Sequence, residues 1–450
     1  MDCAPAACAA SAGSTAKAAP NNFAACFAAR IRFIASHKLP LSISKRQQHK
    51  QTASLLSTRP TIRLKHKEGR RVKAGAPWVF SNEIVMDAEA KALPPGTLVD
   101  LAVDDDAKLG VGYFNPKSLI AVRLLARADK EIDTDFFYEK FRHALHLRNR
   151  FYDAPFYRLA HAEGDGLPGV VVDRFDDTCV VQIATAGMER LKDLLLNALD
   201  AAIAPKNVLL RNDVPARALE GLDSYVRAAS GDIPRRIQVR ENGIAHFADL
   251  LGGQKSGWYY DQRANRAFMA GLAKDANVLD AYCYSGGFGV LAAARGASEV
   301  LGLDSSEAAL ALATEAAGAN GDSERCRFLK ADVFEELERL AQTKARFDIV
   351  ICDPPPFVPA RKDLEPGARA YRKLARLAAQ LVAPGGFLML ASCSHNIPAE
   401  RFAAECAAGI SRARRNAALI HQAGAGHDHP VHPMLPETAY LKALVYAISE

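Results

Sequence analysis

The stretch LDAYCYSGGFG, residues 279–289, decides the fold of this 450-residue chain. Its apolar start predicts a buried strand at Val278–Tyr282. Gly286, Gly287 and Gly289 then predict a turn that passes close to a ligand and leaves amide groups free at a helix start. A dinucleotide-binding turn would carry the pattern G-x-G-x-x-G, which this stretch lacks. The stretch alone therefore indicates either a ligand-binding turn or a purely structural one, and it argues against a nicotinamide dinucleotide.

Strands and helices alternate regularly from this stretch to the end of the chain. Strands are predicted at Val278–Tyr282, Val300–Asp304, Arg327–Lys330, Phe347–Cys352, Phe387–Ser392, Ala417–His421 and Leu441–Ile448. Helical stretches such as Ser306–Ala319 and Ala368–Val382 separate the first five, which predicts a mostly parallel sheet. The last two lack an intervening helix and should pair antiparallel at one edge. Seven strands that end in such a hairpin are typical of the α/β sheet of class I Rossmann-like methyltransferases.

The residues at the carboxyl ends of the strands are the candidate cofactor site, because ligands of such sheets bind there. Asp304 ends the second strand and is placed to accept both hydroxyls of a ribose, or to cap the helix that begins at Ser306. Asp332 follows the third strand and is placed to meet an adenine amino group. The predicted cofactor is S-adenosylmethionine, and its predicted contacts are Asp280, Tyr284, Ser285, Gly286, Gly287, Phe288, Gly289, Asp304, Ser305, Asp332 and Val333.

The residues that follow two further strands predict which reaction the site performs. The run Asp353–Phe357, DPPPF, follows the fourth strand and predicts recognition of a nucleobase edge, with a structural turn as the alternative. Cys393 follows the fifth strand, and a buried core cysteine is the alternative there. A cysteine thiolate that adds to cytosine C6 makes C5 able to attack a methylsulfonium. Asp353 is placed to hold the N3/N4 edge and to stabilise the charge of the adduct.

Two smaller units are predicted before residue 252. Residues 131–251 should contain a linking helix at Asp133–Arg150 and an α+β module without a catalytic constellation of its own. The elements predicted for the module are strands at Tyr157–Ala160, Val170–Asp173, Cys179–Ile183 and Val208–Arg211, and a helix at Met188–Ala202. Residues 61–130 should form a small β-barrel or sandwich. Its predicted strands are Pro77–Phe80, Leu98–Val103, Leu109–Phe114 and Leu119–Leu125.

Basic residues cluster at the start of this β-domain, where they are opposed only by Glu68. They are Arg63, Lys65, Lys67, Arg70, Arg71 and Lys73. Such a run suits RNA phosphates, and a solvated charged face is the alternative. Residues 254–266, QKSGWYYDQRANR, interleave aromatic and basic side chains. This segment adds Lys255 and Arg263 as predicted RNA contacts, or covers the adenosine of the cofactor.

The composition restricts the remaining classes of function. The net charge of +6 originates in residues 1–60, which hold eight basic residues and one acid. We expect a disordered extension there; a mitochondrial transit peptide and a mis-assigned start codon are both open. Nine cysteines without a C-x-x-C pair, and the lack of a long apolar run, favour a cytoplasmic protein without a membrane role. His427, His429 and His432 lack a carboxylate cluster beyond Asp428, so no metal site is expected.

Taken together, the motifs resemble those of the bacterial large-subunit (23S) ribosomal RNA cytosine-C5 methyltransferases of the kind called methyltransferase I. The matching stretches are collinear from about Thr61 onward: Gly75–Ser81 (GAPWVFS), Gly164–Arg174 (GDGLPGVVVDR), Lys255–Arg263 (KSGWYYDQR), Tyr284–Phe288 (YSGGF), Asp353–Phe357 and Ser392–Ser394. The resemblance implies a PUA-like RNA-binding domain at 61–130, a central module at 131–251 and the methyltransferase domain at 252–450. It also implies that Cys393 is the nucleophile. Pro356 stands where these enzymes commonly have Lys, and residues 1–60 have no counterpart.

Two other functions stay open from the sequence. An amino methyltransferase acting on adenine N6 or guanine N2 uses a motif similar to Asp353–Phe357 but does not need Cys393. A non-catalytic RNA-binding assembly factor would bind the cofactor without turnover. The expected partner is 23S ribosomal RNA or a large-subunit particle. The sequence leaves the oligomeric state open, a homodimer included.

Overall fold

The N-terminal β-domain carries the basic run on an edge strand and on the short segment that follows it. The structure is a computed structural model that describes residues 59–103, 107–127 and 130–450. Of the extension predicted at 1–60, residues 1–58 therefore lie outside the described residues. The domain contains β1 (Thr61–Arg63), β2 (Trp78–Phe80), β3 (Thr97–Ala102), β4 (Lys108–Phe114), β5 (Ile120–Ala126), α1 (Arg70–Ala74) and α2 (Ala88–Ala92). The sheet order is β1-β3-β4-β5-β2. The four predicted strands are confirmed, and β1 is additional because three residues within a basic run give no alternating signal.

The central module is a second five-stranded sheet followed by a separate hairpin. Its elements are α3 (Thr134–Phe151), β6 (Phe156–His161), β7 (Val170–Phe175), β8 (Thr178–Ile183), α4 (Ala186–Arg190), α5 (Lys192–Ile203), β9 (Asn207–Asn212), α6 (Ala216–Leu219), β10 (Tyr225–Ser230), β11 (Arg236–Glu241) and β12 (Ile244–Asp249). The sheet order is β10-β9-β8-β7-β6, and β11 pairs with β12. The single helix predicted at Met188–Ala202 is wrong in one respect, since the chain leaves helical geometry at Leu191. The sequence missed β10 because this edge strand is almost wholly exposed and lacks an apolar pattern.

The C-terminal domain has the predicted seven-stranded sheet. Its elements are α7 (Arg263–Ala270), β13 (Asn277–Ala281), α8 (Gly287–Ala294), β14 (Glu299–Asp304), α9 (Glu307–Ala319), β15 (Cys326–Lys330), α10 (Val333–Gln342), β16 (Phe347–Cys352), α11 (Leu364–Leu381), β17 (Val382–Ser392), α12 (Ala399–Arg412), β18 (Asn416–Ala423) and β19 (Lys442–Ser449). The order is β15-β14-β13-β16-β17-β19-β18. The first five strands are parallel, and β19 runs antiparallel to both β17 and β18. The predicted terminal hairpin is thereby confirmed. All five parallel strands end at one edge of the sheet.

The histidine-rich loop between β18 and β19 fastens this edge to the central module. The Asp428 carboxylate accepts hydrogen bonds from the Arg158 N–H at 2.9 Å and contacts His429 Nδ1 at 2.9 Å. The buried Arg148 donates to the Asp428 carbonyl at 2.8 Å and pairs with Asp165 at 2.6 Å. Within the described ranges, no group of three or more potential ligands is arranged to hold a metal ion. No helix in this part of the chain is both long and apolar enough to cross a membrane.

A buried carboxylate at the end of β11 joins the hairpin to α7. Glu241 is fully buried, pairs with Arg266 at 2.6 Å and with Arg263 at 3.3 Å, and accepts a hydrogen bond from Trp258 Nε1. We expect Glu241→Ala to lower the free energy of unfolding by about 3–5 kcal/mol, because it leaves two buried guanidinium groups uncompensated. Glu315→Ala, which breaks the exposed pair with Arg236, should change it by less than about 1 kcal/mol. Urea unfolding measures both; equal losses would contradict this account.

Candidate active site

The turn between β13 and α8 has a strained backbone that the protein itself holds in place. Tyr282 and Tyr284 have φ angles of 64° and 48°, which residues other than glycine rarely adopt. The Tyr284 N–H donates to Asp304 Oδ2 at 2.9 Å. A Cβ at Gly287 would lie 2.5 Å from Arg266 Nε, and one at Gly286 would lie 2.9 Å from the side chain of the facing α9. Glycine is therefore required here by packing as well as by the turn.

Asp280 faces this turn with one oxygen that has no partner among the described residues. Its Oδ2 accepts a hydrogen bond from the Gly289 N–H at 2.8 Å, while Oδ1 is buried and unpaired. The Ser285 hydroxyl is also buried without a partner. Burial, together with the carboxylates of Asp353 and Asp304, raises the pKa of Asp280 to about 7. Unpaired buried polar atoms in a negative environment suit a ligand that carries positive charge.

Asp304 and Asp332 follow neighbouring strands but make different local contacts. Asp304 accepts hydrogen bonds from the N–H groups of Tyr284 and Ser306. It does not cap α9, since the Ser306 hydroxyl does so. Asp332 caps α10 by accepting the Glu335 N–H at 3.1 Å, and it is exposed, as is Ser305. The three side chains remain accessible at the strand ends, where the sequence placed them.

Two of the predicted cofactor contacts have side chains that belong to the core instead. Val333 is 4% exposed and packs among residues of β16 and α11. Phe288 is 5% exposed and packs under α7, with the Arg266 guanidinium over its ring. Only their backbone groups are suited to contact a ligand. Sequence spacing predicted that both residues follow strand ends, but it did not predict the direction of their side chains.

Asp353 and Cys393 come together because β16 and β17 are neighbours that end at the same edge. Burial and the Asp353 carboxylate raise the pKa of the Cys393 thiol to about 11, while the Lys255 ammonium lowers it. Burial and the carboxylate of Asp261 raise the pKa of Asp353 to about 6, while Arg266 and Lys255 lower it. The thiol therefore senses the charge of Asp353. Burial and this charge together keep the thiol protonated at neutral pH.

The loops that carry Asp353 and Cys393 are pinned to each other through Tyr371 on α11. The Tyr371 hydroxyl contacts Ser392 Oγ at 2.8 Å and Ser394 Oγ at 2.9 Å. Ser394 Oγ also accepts the Val358 N–H at 3.2 Å. The two serines on either side of Cys393 thus fix its backbone relative to the Asp-Pro-Pro turn. The two serines, and not the cysteine alone, therefore determine the local geometry of this candidate site.

The thiol is surrounded by additional polar and charged side chains, which the sequence did not predict. Asp261 is 3% exposed, and its Oδ2 accepts a hydrogen bond from the Tyr440 hydroxyl at 2.5 Å and lies 3.5 Å from Lys255 Nζ. Its Oδ1 has no partner in the described part of the chain. Lys442 Nζ donates to the Ser394 carbonyl at 2.6 Å. Asp261 lies in the aromatic and basic segment noted above, whereas no local pattern marks Tyr440 or Lys442.

The predicted RNA contacts divide into exposed and buried groups. The six basic residues of β1, α1 and their connection are all exposed. Lys255 lies over the Tyr259 ring at 4.2 Å with 42% of its side chain exposed. Arg263 has an 11% exposed side chain that pairs with Glu241 and donates to the Phe156 carbonyl. Arg263 therefore belongs to the contact between domains rather than to a surface that faces RNA.

Two family models match this chain in the regions just described. Residues 62–127 match a PUA-like domain, and residues 194–447 match an S-adenosylmethionine-dependent methyltransferase. The second match begins within the central module, so it takes in α5, β9 and the β11–β12 hairpin. The fold of a protein described as a SAM-dependent methyltransferase from Streptococcus mutans is similar, with a TM-score of 0.73 and 20% identity over 86% of this chain and all of the other. A methyltransferase solved in complex with SAH gives a TM-score of 0.74 at the same identity and coverage.

Relatives with higher identity span nearly the whole described chain. Ribosomal RNA large subunit methyltransferase I of Pseudoalteromonas atlantica is 36% identical over 82% of this chain and 94% of the relative. The protein of the same name from Alteromonas mediterranea is 37% identical over 83% of this chain and 95% of the relative. This chain therefore belongs to the S-adenosylmethionine-dependent methyltransferases that carry an N-terminal PUA-like domain, the family of the enzymes named ribosomal RNA large subunit methyltransferase I.

Proposed function

We propose that this methyltransferase converts a cytosine of 23S ribosomal RNA to 5-methylcytosine through a covalent bond to Cys393. The observation that carries the proposal is the pairing of a half-buried thiol with a half-buried carboxyl at the ends of β17 and β16. The PUA-like domain and the names of the relatives support an RNA substrate. An amino methyltransferase would not need the thiol.

The Cys393 thiolate must add to the pyrimidine because cytosine C5 is a poor nucleophile. Sγ forms a bond to C6 while N3 takes up a proton, and C5 becomes enamine-like and able to attack an electrophilic methyl group. The bond between the methyl group and the sulfonium would break as the C5–methyl bond forms, which leaves a neutral thioether. Loss of the C5 proton and of the proton on N3 then lets the Sγ–C6 bond break, which restores the aromatic ring and the thiolate. Each step balances without an oxidant or reductant.

Asp353 is suited to couple base binding to activation of the thiol. With a pKa of about 6, it sits close to the range in which a carboxyl group can share a proton with N3. A carboxyl that shares a proton carries less negative charge toward Cys393, so the thiolate becomes easier to form. The Lys255 ammonium also stabilises the thiolate. The bound base would thus remove the main charge that opposes its own attack.

The residues around the β13–α8 turn fit S-adenosylmethionine, which supplies an electrophilic methyl group on a positively charged sulfonium. The unpaired Asp280 Oδ1 and the unpaired Ser285 hydroxyl are available to its polar groups. We assign Asp304, at the next strand end, to the ribose hydroxyls. The carboxylates of Asp280, Asp304 and Asp353 make this edge of the sheet negative, which favours a ligand with sulfonium and ammonium charges.

Cofactor binding should weaken as the pH falls. The pKa of Asp280 is about 7 in the free protein, so the Asp280 carboxyl is protonated in roughly half of the protein molecules at neutral pH. A cationic ligand prefers the ionised carboxylate, so binding should release protons near pH 7. We expect the Kd for S-adenosylmethionine to rise steadily below about pH 7, and Asp280→Asn to weaken binding and flatten this dependence. Calorimetry in buffers of different ionisation enthalpy measures both the affinity and the protons released.

The control is Asp275→Asn, an exposed residue just before the opposite end of β13. Its affinity and pH dependence should match those of the wild type. Binding by the wild type that is independent of pH, with no proton release, would contradict the role given to Asp280.

Product analysis tests the proposed function as a whole. The enzyme is incubated with labelled S-adenosylmethionine and bacterial 23S RNA, and the RNA is digested to nucleosides. We expect 5-methylcytidine. A product methylated on adenine N6 or guanine N2 would replace the proposal with the amino methyltransferase, and cofactor binding without any product would favour an assembly factor.

A further inference from the structure

A cavity of about 690 Å³ lies where the β-domain, helix α3, the central module and the loop before β19 meet. Residues 75–77 and 124–127 line it from the β-domain, residues 163–166 from the turn after β6, and His432 from the loop. The stretches GAPWVFS and GDGLPGVVVDR, which had no assigned role, both contribute to this wall. The cavity is separate from the strand ends that carry Cys393 and Asp280.

The cavity is positively charged because its carboxylates are neutralised and several of its cations are not. The acids Glu163, Asp165 and Glu139 pair respectively with Arg123 at 2.8 Å, Arg148 at 2.6 Å and Arg142 at 2.6 Å. Within the described ranges, the cavity's other cations make no ion pair. They are Arg127, Lys130 and Lys140.

Two of these cations are held close enough to repel each other. Lys130 Nζ and Lys140 Nζ each lie 5.4 Å from the centre of the Phe136 ring. Burial lowers the pKa of Lys140, and the charge of Lys130 lowers it further, while the Asp165 carboxylate acts in the opposite direction. An anion bound near the two ammonium groups would offset their mutual repulsion.

Glycines leave the room that these cations occupy. Gly75 has φ +117° and Gly166 has φ +67°, both in the left-handed region. A Cβ at Gly75 would lie 2.4 Å from Arg127 Nη2, and a Cβ at Gly166 would lie 2.7 Å from Lys140 Nζ. A side chain at either position would displace a cation from the wall.

We infer that this cavity binds the phosphodiester backbone of the substrate RNA, with Arg127, Lys130 and Lys140 as the contacts. The exposed basic run of β1 and α1 ends at Gly75, on one rim of the cavity. His432, on another wall, belongs to the same loop as Tyr440, whose hydroxyl bonds to Asp261 near the thiol. The cavity walls thus connect the basic run of the β-domain with the loop that reaches Asp261 near the thiol. The inference rests on the proposed RNA substrate and adds where that RNA is held.

The test compares charge removal with charge retention at two cavity lysines. The variants are Lys130→Gln, the double variant Lys130→Gln/Lys140→Gln and the double variant Lys130→Arg/Lys140→Arg. Lys206→Gln/Lys274→Gln, at two exposed positions outside the cavity, is the matched control. RNA affinity is measured by anisotropy over a series of salt concentrations, alongside KM and kcat for the RNA and the Kd for S-adenosylmethionine.

We expect the slope of log affinity against log salt to become shallower by about one for each lysine converted to Gln. KM for RNA should rise while kcat and the Kd for S-adenosylmethionine stay unchanged, and the Arg variant should restore the slope. Because Lys130 is exposed, its single variant should fold even if the double variant does not. If the wild-type enzyme is active and the Lys130→Gln protein has the same salt slope and the same KM as the wild type, the cavity inference is overturned while the proposed function stands. A wild type that neither binds nor methylates RNA would overturn the proposed function together with it.

Discussion

Replacing Cys393 with alanine should abolish 5-methylcytidine formation, with a loss of about 10⁴-fold or more in kcat/KM, because the uncatalysed C5 carbon cannot attack the methyl group. Cofactor affinity should be unchanged, since the thiol lies at the end of β17 and the cofactor loop follows β13. The measurement is single-turnover methyl transfer to 23S RNA, with the Kd for S-adenosylmethionine determined in parallel.

Cys326→Ala is the matched control for this variant. Cys326 and Cys393 are the two partly exposed cysteines among the described residues, and Cys326 lies at the start of β15, away from the strand ends that form the site. The Cys326 variant should keep wild-type activity. If Cys393→Ala still produced 5-methylcytidine at a comparable rate, a covalent mechanism through this residue would be wrong.

Asp353→Asn should change two properties of the enzyme in opposite directions. Methyl transfer should fall by about 10²–10³-fold, because the amide cannot share a proton with the base as the adduct forms. Alkylation of Cys393 by iodoacetamide should become faster, because the carboxylate that raises the pKa of the thiol is gone. Since the wild-type pKa is about 11, the wild-type alkylation rate should keep rising with pH well above pH 9.

The control for this prediction lies on the same strand. Asp348 is near the start of β16, where its carboxylate accepts the Asn277 N–H, so Asp348→Asn removes a charge far from the site. It should leave both rates within about twofold of the wild type. If Asp353→Asn slowed alkylation, or left it unchanged while methyl transfer fell, the carboxylate would not control the thiol as we describe.

The sequence predicted which residues lie at the carboxyl edge of the sheet because strand ends can be read from a local pattern. Strands β13, β14, β16 and β17 contain buried apolar runs, and a parallel sheet brings their carboxyl ends together whatever the details of packing. Asp280, Asp304, Asp353 and Cys393 were found in this way. Side-chain direction was not predictable, so Val333 and Phe288 were counted as cofactor contacts although both pack in the core.

Contacts between distant parts of the chain were beyond local reasoning. Arg263 looked like an RNA contact because it stands among aromatic residues, but its partner Glu241 comes from the β11–β12 hairpin, which the sequence did not predict. Tyr440 reaches Asp261 across 179 residues of sequence. The junction cavity likewise combines segments that have no common motif. Such arrangements depend on how domains pack, which spacing along one segment does not encode.

Trapping of the covalent intermediate tests the central claim most directly. RNA that contains 5-fluorocytidine at the target position cannot release the C5 substituent as a proton, so the bond between Cys393 Sγ and C6 should persist after methyl transfer. We predict a denaturation-resistant protein–RNA complex with the wild type in the presence of S-adenosylmethionine, and none with Cys393→Ala. A peptide map should place the RNA on Cys393. No complex with a wild type that methylates ordinary RNA, or a complex that persists in Cys393→Ala, would contradict the account.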